Sequence, residues 1–288
     1  MKKDDIEIIN LIPNFLKYYN IAKTSKENER YALWKKHYNF AAVPPGEQGE
    51  NLAEKMLEEA WDKYEQVIPI LEEWSLDSSE ILEYLLFIKQ TLGYNDKLEF
   101  VVIFFVGSFE GNAFVAPYSN DKIAICFPIE NKSNNIVNDI VLVHELVHLV
   151  HSKIAGIKME WERSIASIVM TEGLATQLSK HLIPGYQEEL YVEFQKKGWL
   201  KKCRDNEIKI LKGILPYLKE TSSEKVFKFT MGTGTTGIER EAYYVGWKVI
   251  ENMLEDGWSF LNIARMQEQD FLSNTQKYIA KILDNIEL

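Results

Sequence analysis

Cysteine is nearly missing from this chain: Cys126 and Cys203 are the only two in 288 residues, in unrelated contexts. That excludes a disulfide-stapled scaffold. No run of about 18 uncharged apolar residues occurs, so no membrane span is expected. The residues from Met1 to Glu7 carry two lysines, then acids, and lack the continuous apolar core of a signal peptide. Basic charge is short too: 33 Lys and Arg stand against 43 Asp and Glu, a net charge of −10, which argues against nucleic acid or an anionic membrane surface as partner. The expectation is a cytoplasmic protein with a solvated acidic surface.

Histidine is also scarce, five in all, yet three fall in Ile140-Val-Leu-Val-His144-Glu145-Leu-Val-His148-Leu-Val-His151. The rest of this stretch reads as a buried apolar helix. At about 100° per residue, His144 and His148 lie one turn apart on one face and can grip a single ion. Glu145, one step aside, can reach a water on the ion's open side, where a general base belongs. This is the H-E-x-x-H arrangement of zinc hydrolases. The alternative is a chance match among ordinary histidines, and the apolar helical frame weighs against it.

Around this motif the chain is mostly helical in pattern. A helical period runs from Asp4 to about Asn39, through Ile8, Leu11, Phe15, Tyr18, Trp34 and Tyr38. The stretch from Ala41 to Gly49, with its adjacent prolines, is the clearest linker. Helical patterns resume over 52–74 and, after a capping box at Asp77-Ser-Ser-Glu80, over 81–88, with Gly93 as the stop. Their aromatic residues read as packing rather than a cofactor site. Leu98 to Val106, followed by shorter runs at Asn112 to Ala116 and Lys122 to Phe127, predicts three strands in a small sheet just before the motif helix. Further helices are expected at about 134–154, 160–181, 186–198, 200–219, 239–256 and 259–284. The class is α+β, helix-dominated, with a helical amino-terminal region over 1–92 that could cap a cleft and a second domain over 93–288.

Two histidines leave a tetrahedral zinc one protein ligand short. The H-E-x-x-H-x-x-G-x-x-H solution is excluded, because His151 and Ile154 stand where Gly and His are needed. His151 itself lies a further turn along, too far to join the same ion. Cys126 offers a thiolate, but its alternating strand context favours a packed core residue. Glu172 fits best: it follows His148 by 24 positions, enough for a loop and an antiparallel return, and its neighbours Ile165, Ile168, Val169, Leu174 and Leu178 make its helix largely buried. A buried carboxylate needs a partner. Glu160 and Glu162 are rivals at the expected start of that helix. Thr176, one turn beyond Glu172, is placed to hydrogen-bond a motif histidine.

His144-Glu-Leu-Val-His148, Glu172-Gly-Leu-Ala and Tyr243-Tyr-Val-Gly246-Trp247, in that order, resemble the three blocks of the YjaZ-like predicted zinc-dependent proteases, the DUF2268 family, which is similar in turn to gluzincins. The resemblance covers about residues 95–286. It implies a zincin-like fold, Zn2+ held by His144, His148 and Glu172, and a peptide or protein substrate. It also favours Tyr243 as the proton donor to the oxyanion, a position that helix phase supports: Tyr243 neighbours Gly246, whose missing side chain leaves room for a substrate. Tyr244 points about 100° away and Arg240 is next in line; the alternative reading is that both tyrosines are core aromatics.

Gly232-Thr-Gly234-Thr-Thr-Gly237 matches G-x-G-x-x-G, but no buried strand precedes it and no second strand with an acid follows, so it reads as a mobile loop rather than a dinucleotide site. The expected function is a zinc peptidase with Glu145 as base; the alternative is a zinc-binding regulatory protein that keeps the ligands without catalysis.

Overall fold

The computed structural model describes residues 4–43, 47–75, 78–109, 113–119, 122–130, 135–158, 160–193 and 197–287. The double proline of the expected linker, Asp77 of the capping box and Asn112 lie outside them. In chain order the elements are β1 (Asp5–Asn10), α1 (Ile12–Ala22), α2 (Arg30–His37), α3 (Glu47–Glu73), α4 (Ser78–Leu92), β2 (Glu99–Phe105), β3 (Phe114–Ser119), β4 (Lys122–Pro128), α5 (Asn135–Ala155) and α6 (Ile165–Leu182). There follow α7 (Glu188–Val192), α8 (Trp199–Asp205), α9 (Glu207–Ile214), α10 (Ser223–Thr230), α11 (Glu241–Glu255), α12 (Phe260–Ala264) and α13 (Phe271–Glu287). The chain is thus α+β and helix-dominated. Among the described residues no helix is long and apolar enough to cross a membrane.

The chain divides into two units. One is built from Lys3–Ser78 and Lys97–Asn134. Its sheet has the order β1-β2-β4-β3, with β1, β2 and β4 parallel and β3 antiparallel at one edge. The helical pattern expected from Asp4 fails over Asp5–Asn10, which form a parallel strand against β2 in register Asp5 with Glu99 to Asn10 with Phe104. Six residues are too few for their spacing to separate a helical from an extended period, and the ladder to a distant segment decided the matter. β2 is buried at every position after Glu99, as a central strand covered on both faces must be. Beside the sheet, Phe15 meets Tyr18, Tyr38 and Tyr64 edge-on at ring separations of 4.9–5.7 Å, so these aromatics pack a core as expected.

The other unit contains Ser79–Asp96 and Asn135–Leu288. Several expected long helices are broken: among the described residues 186–198 retains only α7, 200–219 divides into α8 and α9, and 259–284 into α12 and α13. The helix expected from 160 starts only at Ile165, because Ser164 caps it by accepting from Ser167 N at 3.1 Å. α6 is buried along Ile165 to Ser179 and forms the axis of the unit, with α5, α11 and α13 packed on it. Where α6 meets α11 the two backbones touch: a Cβ on Gly173 would lie 2.2 Å from the Gly246 carbonyl oxygen, and one on Gly246 would lie 2.4 Å from the Val169 oxygen.

Candidate metal centre

His144, Glu145, His148 and His151 sit on α5, each at most 6% exposed. The four-residue step brings the rings of His144 and His148 to 4.7 Å, nearly perpendicular at 81°, with their Nε2 atoms 3.0 Å apart. From α6, Glu172 turns Oε2 toward both, 3.1 Å from His144 Nε2 and 3.2 Å from His148 Nε2. Two imidazole nitrogens and a carboxylate oxygen therefore form a nearly equilateral triangle of lone pairs, an arrangement that protons or a cation must neutralise. A tetrahedral zinc holds such ligands at about 2.0–2.1 Å and so spaces them about 3.3–3.4 Å apart. The observed triangle is within a few tenths of an ångström of that. These three buried residues can hold a metal ion, and they are the one such group of three or more His, Cys, Asp and Glu among the described residues. Glu160 and Glu162 are not in it. Cys126 lies in β4 and His151 one turn beyond the ligands, and neither joins the group.

The electrostatics follow from burial and from the neighbours. Burial works against the charged form of Glu172, but His148 and His144 beside it hold its carboxyl well below the usual range. His148 is also penalised by burial, and the Glu172 carboxylate more than offsets this, so its pKa rises. Glu145 is pushed up by burial against the opposing pull of the two histidines. His151 is depressed to about 3, by burial first and then by His148 and Arg163. Its Nε2 and the Nδ1 of His148 are buried without a hydrogen-bond partner among the described residues.

Arg163 was not singled out in the sequence. It precedes the Ser164 cap, and its Nη2 lies 3.5 Å from Glu172 Oε1, the oxygen turned away from the histidines. Only the cap residue beside it, which fixes where α6 begins, could have hinted at its position. Thr176 does not reach a histidine: its Oγ1 donates to the Glu172 carbonyl at 2.7 Å, the bond to the preceding turn that a helical hydroxyl makes readily.

The two tyrosines of the third block diverge. Tyr243 is half-buried, and its phenol is raised by burial and by the charges of Glu172 and Glu145, which places it in the field of the centre. The Arg240 guanidinium lies 4.1 Å from its ring centre. Tyr244 is fully buried and donates to Glu207 Oε1 at 3.0 Å. The sequence predicts that Gly246 leaves room for a substrate, and the structure overturns this: the α6 backbone at Val169 and Gly173 fills that space.

The glycine loop holds an anion of the protein's own. Glu241, the first residue of α11 and fully buried, accepts from Thr235 N (2.9 Å), Thr236 N (2.7 Å), Thr235 Oγ1 (3.1 Å) and Thr236 Oγ1 (2.6 Å). Gly234 has φ of +54°, and a Cβ there would lie 2.0 Å from the Glu241 carboxyl carbon. The donors that would have cradled a phosphate are spent on this carboxylate, which pins the loop that the sequence suggested was mobile. No protein-family model, no curated protein and no solved structure matches the chain.

Proposed function

We propose that the protein is a zinc-dependent peptidase with a zincin-like, gluzincin-like catalytic unit, as its three sequence blocks suggest. The observation that carries this reading is the convergence of His144 Nε2, His148 Nε2 and Glu172 Oε2 within 3.0–3.2 Å of one another, with Glu145 one helix step aside. Two imidazoles and one carboxylate are the ligand set of hydrolytic zinc sites that keep a coordination position open. A zinc ion there would supply Lewis acidity, polarising the scissile carbonyl and acidifying the attacking water.

The remaining work falls to the protein's own groups. Glu145 takes the proton of the attacking water and delivers it to the leaving amine; burial, which raises its pKa, makes the carboxylate the readier proton acceptor. Tyr243, kept protonated by its raised pKa, donates a hydrogen bond to the developing oxyanion. Arg163 holds the second oxygen of Glu172, so that the carboxylate presents a single oxygen to the ion.

One observation favours the other reading, a non-catalytic zinc site: the three ligands are only 3–5% exposed, as in a closed structural centre. Glu145 separates the two readings, since a structural site has no use for a base. Elemental analysis should find about one zinc per chain, retained in Glu145→Gln and largely lost in His148→Ala. Hydrolysis of a mixed peptide library should fall about 100-fold or more in Glu145→Gln. Equal turnover by the two proteins would refute the peptidase mechanism, and full zinc retention in His148→Ala would refute the site.

A further inference from the structure

We propose that the cavity beside the third block is a substrate subsite for a carboxylate; the identity of its ligand as a substrate rests on the peptidase reading. The cavity measures about 320 Å³ and is lined by Lys197, Trp199, Lys202, Thr233, Ile238 and Glu239 among others. Two of these side chains are cations and one is an acid, in a protein whose total balance is −10. The neighbouring basic groups of α8 are already neutralised: Lys201 pairs with Asp205 at 2.8 Å and Arg204 with Glu188. Lys197 and Lys202, which face the cavity, have no carboxylate within 4.0 Å among the described residues. Two ammonium groups lining one cavity favour an anion by simple charge, and their exposure makes that attraction sensitive to salt.

The shape of the site selects the anion. A phosphate loop would offer converging backbone N–H groups, but those of Thr235 and Thr236 point inward to Glu241. The indole N–H of Trp199 is also committed, to the Glu239 carbonyl at 2.7 Å. What remains for a ligand is two flexible point charges, offset in part by the single carboxylate of Glu239, with the exposed Thr233 and the edge of an indole. That suits a carboxylate on a short side chain or at a peptide's C-terminus.

The cavity also lies near Tyr243. The Arg240 guanidinium is 5.7 Å from the Trp199 ring and 4.1 Å from the Tyr243 ring. The cavity wall and the phenol are therefore no more than about three residues of extended peptide apart, at about 3.3 Å each. A substrate reacting beside Tyr243 would place a residue about three positions from the scissile bond between the two lysines.

The test uses the zinc-loaded full chain carrying Glu145→Gln, in which turnover should be slow enough for binding to be measured. Calorimetry at low salt measures capped hexa-alanine peptides in which one Glu, or one Gln, is moved along the sequence. A second pair compares a free C-terminal acid with its amide, which separates the two sources of carboxylate. At one register the Glu peptide, the free acid, or both should bind about 10-fold tighter than the neutral partner, with the gain shrinking as salt is added. Adding Lys197→Gln and Lys202→Gln together should bring each pair to within about twofold, the residual expected of exposed charge pairs. Equal binding of acid and neutral partners at every register, or a preference that survives the double substitution, overturns the inference. Digestion of a peptide library by the wild-type chain tells the two readings apart. Cleavage without an acid preference refutes the subsite alone, whereas carboxylate-dependent binding with no cleavage refutes the peptidase reading and leaves the subsite standing.

Discussion

Replacing Gly173 with alanine should destabilise the unit that holds the centre, although alanine is by far the better helix former. The new Cβ would lie 2.2 Å from the Gly246 carbonyl oxygen, 2.5 Å from its carbonyl carbon and 2.7 Å from Ile250 Cγ1, against at least 3.4 Å for ordinary contact. The first two obstacles are backbone atoms of a facing helix and cannot swing aside, so α6 and α11 must part by about 1.2 Å. Overpacking costs about 1–3 kcal/mol, and a gap of that width forfeits a quarter to a half of the dispersion contacts along the crossing. Helix propensity returns only about 1 kcal/mol. The net expectation is a loss of about 2–4 kcal/mol, or a fall in Tm of about 5–15 °C, read by thermal circular dichroism. Because Glu172 is the adjacent residue, metal affinity by chelator competition should weaken as well. Gly246→Ala opens the same seam, so the double variant should lose less than the sum of the two singles. If Gly173→Ala melted at or above the wild-type temperature, the helices would not meet backbone to backbone and the reasoning would fail.

Tyr243→Phe should lower kcat about 100-fold with KM and zinc content nearly unchanged, while Tyr244→Phe, which breaks the bond to Glu207, should cost stability and leave kcat close to wild type; the reverse pattern would put the donor at Tyr244. His151 has a folded-state pKa of about 3, below its unfolded value of about 6.5, so its neutral form contributes stability that is present above about pH 6.5 and lost as pH falls toward 3. Between pH 7 and pH 5 this amounts to at most about 2 kcal/mol, and His151→Leu should flatten the urea-midpoint profile by that amount, an identical slope refuting the burial argument. Glu241→Gln should cost about 2–4 kcal/mol in chemical denaturation, since an amide nitrogen would face donors that now share a carboxylate; an unchanged midpoint would show that the loop does not depend on that anion.

The sequence determined what is local. Helix pitch alone puts His144 and His148 on one face with Glu145 a step aside, so the four-residue spacing is as legible in the sequence as in the structure. The apolar run around Glu172 announced a buried carboxylate in need of a partner, and the structure brings its Oε2 to both histidines. The helix-rich α+β character followed from periodicity in the same way. Tertiary structure decided what depends on residues far apart in the chain. Asp5–Asn10 is a strand because Glu99–Phe105 is there to pair with it. Gly246 is a contact glycine because Gly173 faces it 73 positions earlier in the chain, and a glycine codon looks the same whether it makes room for a ligand or for another backbone. The glycine-threonine loop reads from the sequence as mobile, and only the fold shows Glu241 seated in it and pinning it. Arg163 reaches Glu172 because a serine cap sets where α6 begins, and the helix sets the carboxylate nine positions further along the chain within its reach. In each case a one-dimensional pattern records which groups a segment offers, while the partner that uses them is chosen by packing.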